Sequence, residues 1–194
     1  MFLVQLPGTN PSEQWPLCSH YSAVNFEASE VRATADDGAA TQLASFVWAL
    51  GRAANGEHEV LGVWPVADTK AVPWRWIGSE LALRGVTSIR HISGDAWKAN
   101  RPMSVEDALP HVASGGSAWK AGVPLSVVAR EQEVVRKLAK ALKATVARQQ
   151  DFQNREAARV FVLGALKRAS TSLGRVNQTR NASAILRSAE SARP

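Results

Sequence analysis

Between residues 56 and 98 the chain changes its hydrophobic period twice, and that change limits what it can fold into. Residues 59–66 (EVLGVWPV) are β-branched and aromatic and predict a strand, with Pro65 limiting how far it pairs. Residues 71–83 then place Trp74, Ile77 and Leu81 at helical spacing, and Gly85 follows as a stop. Residues 89–92 return to a short β-branched run that ends on Gly94-Asp95. A helix between two strands is the usual way to bring the second strand in parallel. A carboxylate, Asp95, is left at the tip of that last strand.

Upstream, residues 24–31 predict a first strand and residues 43–50, with Phe46, Val47 and Trp48, a second. Asp36-Asp37-Gly38 and Asn55-Gly56 are hairpin signals, because both tolerate the positive φ of tight turns. The order is therefore strand, strand, strand, helix, strand, with the first three antiparallel and the last parallel beside the first.

The flanks differ in character. Residues 1–22 are punctuated by Pro7, Gly8, Pro11 and Pro16 and predict an irregular lead-in. Residues 23–98 form the α/β unit. Residues 99–124, with Pro102, Pro110, Gly115, Gly116, Gly122 and Pro124, predict a linker. Residues 125–170 predict a basic helical region. Its first helix spans 126–149, with Val127, Val134, Val135, Leu138, Leu142 and Val146 as the apolar stripe. Its second spans 155–169, capped by Asp151 or Asn154, with Val160, Phe161, Ala165 and Leu166 inward. Residues 171–194 predict a flexible tail.

Charge divides along the same line. Residues 1–97 carry a net −4 and residues 98–194 a net +10, within a total of +6. A basic half beside an acidic half points to a polyanion-binding portion, or to ordinary solvated helix faces. Cys18 is the single cysteine, which excludes an internal disulfide and a multi-cysteine zinc site. No run of about 18 apolar residues predicts a membrane span. The N-terminus lacks the pattern of a signal peptide. A cytoplasmic location is the expectation. There is no Gly-x-Ser-x-Gly elbow and no Gly-x-x-x-x-Gly-Lys-Ser/Thr loop. His20, His58, His91 and His111 have no second histidine at ligand spacing. Trp48, Trp64, Trp74 and Trp76 fall in predicted core elements and read as packing residues.

Asp95 is one candidate for chemistry. Beside a glycine at a strand end, it is placed to hold a divalent cation, or simply to start the helix near Ala96. Glu27, between Phe26 and Ala28 in the first strand, faces either water or a site. If the last strand lies beside the first, the two carboxylates meet at one rim of the sheet. Carboxylates sharing Mg²⁺ can support the metal clamp, with ions roughly 4 Å apart, that serves phosphoryl transfer.

Residues 25–98 resemble the Mutator-type transposases of bacterial insertion sequences. The resemblance rests on NFEASEVRA and FVWALG, then Glu59-Val60-Leu61-Gly62-Val63-Trp64. It continues with Trp74 or Trp76, Leu81-Ala82-Leu83-Arg84-Gly85-Val86, and Asp95-Ala96-Trp97-Lys98. It implies a partial RNase H-like core of three antiparallel strands, a crossover helix and a parallel strand, followed by a basic helical C-terminal region. It also implies metal-dependent cleavage and joining of DNA, with Glu27 and Asp95 as catalytic ligands for Mg²⁺ or Mn²⁺. The chain departs from the family pattern in three places. Glu27 stands where the family has aspartate. The downstream cysteine-and-histidine motif is missing. No third carboxylate is anchored: Asn181-Ala182-Ser183-Ala184 carries alanine where the glutamate would stand, and Glu131, Glu133, Glu156 and Glu190 are open alternatives. The chain also begins later than a full-length family member, so it resembles a shortened or degenerate copy.

Arg136, Lys137, Lys140, Lys143 and Arg148 are the candidate phosphate contacts. DNA is the expected partner, with self-association into a homo-oligomer a further one and no membrane. A catalytically inactive DNA-binding or self-associating protein is the competing expectation.

Overall fold

The computed structural model describes residues 16–35, 40–69, 71–100, 108–109, 112–114, 125–149 and 151–191. The predicted Asp36-Asp37-Gly38 turn lies outside these residues, as does His111. A mixed sheet is built from β1 (His20–Thr34), β2 (Thr41–Ala53), β3 (His58–Val66), β4 (Ser88–Ile89), β5 (Ile92–Ser93) and β6 (Ala113–Ser114). The helices are α1 (Trp74–Leu83), α2 (Asp95–Ala99), α3 (Leu125–Val146) and α4 (Arg155–Ser191).

The strands lie in the order β3-β2-β1-β4-β6, with β5 also pairing β1. The pairs β1–β2 and β2–β3 are antiparallel, while β4 and β5 run parallel to β1. The tight Asn55-Gly56 turn, with Gly56 at φ 85°, makes the second hairpin. β1 is longer at both ends than its apolar pattern predicts and starts inside the expected lead-in. The run at 89–92 is not one strand. β1 has an irregularity between Tyr21 and Ala23, and the partner strand breaks opposite it at Arg90-His91. Backbone bonds from Arg90 N to Tyr21 O (2.9 Å) and Val24 N to His91 O (2.8 Å) hold the two pieces in line. α1 starts at Trp74 rather than at 71, with Pro73 as its N-cap, because a proline disfavours helical backbone at the residue before it and cannot sit inside a helix.

Each face of the sheet has its own core. Val24, Phe26, Val47, Leu61 and Trp64 pack with Trp74, Ile77 and Leu81 of α1. Val31, Phe46, Trp48, Leu50 and Val60 pack on the other face with Val135, Leu138 and Leu142 of α3 and Ala158, Val162 and Leu166 of α4. The basic helical region is therefore not an appendage; it closes the second core. The 99–124 segment is more than a linker too. Its Ala108, Leu109 and Val112 are buried in the first core, and β6 pairs β4 in parallel, Ser88 against Ala113. Proline and glycine punctuation concealed a strand of only two residues. Beyond 171, α4 continues to Ser191 where a flexible tail was predicted. Asn154 caps α4, its Oδ1 accepting from Ala157 N at 2.7 Å. Val160 of α4 and Trp76 of α1 are 43% and 40% exposed, so neither is the core residue its spacing predicted. Among the described residues no helix is long and apolar enough to cross a membrane.

Candidate functional site

β1 and β5 lie side by side with Val24 against Ile92 and Asn25 against Ser93. The same rows continued two residues on set Glu27 level with Asp95. The two are in contact: the Asp95 backbone N–H donates to the Glu27 carboxylate. One rung back, Ser93 Oγ donates to Asn25 Oδ1 at 2.6 Å. Side chains alternate along β1. Phe26 joins the α1 core while Val31 and Ala33 join the α3/α4 core, which puts Glu27 on the α3/α4 face.

Gly94 makes the approach possible. Its φ is 109°, and a Cβ there would collide with the backbone of Phe26. Only glycine tolerates both conditions. Asp95 then opens α2 with its side chain 86% exposed. Trp97 pins that short helix. Its ring lies 4.9 Å from Trp74 and 6.1 Å from Phe26, centroid to centroid, within the aromatic end of the first core. An exposed carboxylate thus stands on a packed backbone.

The electrostatics follow from this placement. Burial pushes the Glu27 carboxyl up to about 6 from 4.5, and the Asp95 charge adds to the push. The Asp95 N–H and the more distant Lys98 charge pull the other way. Lys98 Nζ lies 3.4 Å from Asp95 Oδ1, so Asp95 has a cationic neighbour of its own. The Asp95 backbone makes the contact, and its carboxylate senses that of Glu27 through space; carboxylate oxygens are the hard donors that suit Mg²⁺ or Mn²⁺. Mg²⁺ is commonly held by one or two carboxylates plus waters and substrate phosphates, so the pair fits such an ion without a complete protein cage.

No described acid completes a triad. Glu131 is buried on α3 and binds His58 Nε2 (2.8 Å) and Arg52 Nε (3.2 Å). Glu133 pairs with Arg136 and with Lys137 at 3.3 Å, and Lys137 and Arg136 hold its carboxyl below the usual range. Glu156 pairs with Arg159 at 2.6 Å. The Glu190 side chain lies outside the described residues. Among the described residues, no group of three or more His, Cys, Asp or Glu side chains could hold a metal.

The predicted phosphate contacts divide. Arg136 and Lys137 share Glu133, whereas Lys140, Lys143 and Arg148 are exposed on or just beyond the outer side of α3. Sequence reasoning missed a second polar cluster, His58, Glu131 and Arg52. His58 is not isolated, as its spacing implied, because its partner comes from a distant helix. No local pattern could have revealed that pairing.

No protein-family model and no curated protein matches this chain.

Proposed function

We propose that this protein is a DNA-processing protein of the Mutator-type transposase kind, working in the cytoplasm, with an RNase H-like half-core that binds DNA and acts on its phosphodiester backbone. The observation that carries the reading is the contact between Glu27 and Asp95, which are far apart in sequence and adjacent across β1 and β5. The strand order, with parallel strands added beside the first of three antiparallel ones, supports the RNase H-like assignment.

In this reading Glu27 and Asp95 hold Mg²⁺ or Mn²⁺. When bound, the ion would supply Lewis-acid stabilisation of charge on the phosphate oxygens. The chain's own residues do the rest. Gly94 and Trp97 fix the backbone that carries Asp95. Lys98 compensates part of the carboxylate charge before the ion arrives. Lys140, Lys143 and Arg148 contribute sequence-independent attraction for phosphates.

Purified protein with Mg²⁺ or Mn²⁺ should nick or join duplex DNA, and Asp95→Asn should abolish that activity. Undiminished activity in Asp95→Asn would reject the site. A second reading, DNA binding without catalysis, is favoured by the lack of a third described carboxylate at the pair. It predicts retained, salt-sensitive DNA binding and no cleavage in either protein.

A further inference from the structure

β5 is two residues long, yet it delivers Asp95 to Glu27 to within one residue. One offset along the two chains pairs His20 with Ser88, Val24 with Ile92 and Asn25 with Ser93, and the same offset sets Glu27 level with Asp95. A shift of one residue would set Glu27 against Gly94 or Ala96 and leave no facing carboxylate. Burial of Ile92 in the first core fixes the face that β5 turns to α1, but apolar packing is not directional. Overlap at Gly94 with the Phe26 backbone penalises a shifted strand, but overlap repels and cannot hold two strands together.

A directional, attractive contact stands one rung before the acids. Asn25 is a buried amide, 3% exposed, beside Leu50 of the α3/α4 core. A buried amide is destabilising unless it is hydrogen-bonded. Its Oδ1 accepts from Ser93 Oγ at 2.6 Å, and Ser93 is the residue that faces it across the strands. After a shift of one residue Asn25 would face Ile92 or Gly94, and neither offers a polar side chain. Of these three registers, only the observed one gives Asn25 a side-chain donor.

We propose that Asn25 and Ser93 are positioning residues, whose side-chain bond holds β5 on β1 in the register that sets the Asp95 N–H on the Glu27 carboxylate. The lock needs no metal; it rests on the reading above only for what the positioning serves.

The test is amide NMR of the isotope-labelled full chain, titrated from about pH 4 to about pH 8. In the wild type the Asp95 amide proton should move downfield as Glu27 ionises, because a hydrogen bond to the charged form is stronger. Ser93→Ala removes the donor at a half-buried position with little change in volume, so the variant folds. It should cut the amplitude of the Asp95 titration about twofold or more. It should also speed hydrogen exchange at Asp95 about tenfold, while the amides of β2 and α1 exchange as before. Ser93→Thr, which keeps the hydroxyl, should restore both. A merely structural role would speed exchange throughout the sheet and leave the Asp95 titration intact. That result, or wild-type amplitude and exchange in Ser93→Ala, overturns the lock. Paramagnetic broadening by Mn²⁺ separates this inference from the metal reading. A reduced Asp95 titration in Ser93→Ala, with no Mn²⁺ uptake by the wild type, sustains the lock and removes the metal site. An Asp95 amide that ignores Glu27 in the wild type overturns both.

Discussion

At the residue scale, one carboxyl is set apart by its surroundings. Glu27 is pushed up to about 6 by burial and by the neighbouring Asp95. An acid with a raised folded-state pKa binds its proton more tightly when folded than when unfolded. Glu27 therefore contributes stability at low pH that is lost as pH rises from about 4.5 to about 6. Carbon-detected NMR of the Glu27 carboxyl should give a midpoint near 6. In Asp95→Asn the midpoint should fall toward 4.5 without reaching it, since the larger cause, burial, remains. A midpoint that does not move would mean that the two carboxyls do not sense each other. Glu27 was visible in the sequence as an acid between Phe26 and Ala28, and Asp95 as an acid after Gly94. Their environment was not visible, because burial and the N–H contact arise only when β5 docks on β1.

At the element scale, the junction of β5 and α2 is the most constrained part of the site. Gly94 has a positive φ and lies against the Phe26 backbone. Gly94→Ala should cost about 3 kcal/mol or more of stability, from the combined strain and overlap. Urea denaturation followed by tryptophan fluorescence measures this, and a loss below about 1 kcal/mol would mean that the strand and helix are not packed this closely. The elements themselves were largely legible. Strand-favouring residues and the hairpin signals between them gave β1 to β3, the 3.6-residue spacing gave α1, and the apolar stripes gave α3 and the first turns of α4. The failures share a cause. β4, β5 and β6 are two residues each, too short to carry a period, and their existence depends on pairing with β1 and with one another. Trp76 and Val160 sit at core spacing yet face solvent, because no described element covers them.

At the scale of the whole molecule, the charge asymmetry of the sequence acquires a physical arrangement. The basic second half folds onto the same sheet face that carries Glu27. What the sequence could not supply was the long-range pairing of Glu131 with His58 and Arg52, which turns an expected candidate ligand into a strut between α3 and the hairpin. The remaining acids, Glu27 and Asp95, should take up a divalent cation together. Mn²⁺ titration into isotope-labelled protein, followed through paramagnetic broadening, answers this without any assay of DNA cleavage. Broadening should centre on Glu27 and Asp95 and disappear in Asp95→Asn. Broadening centred elsewhere, or equally strong in Asp95→Asn, would contradict a shared metal site.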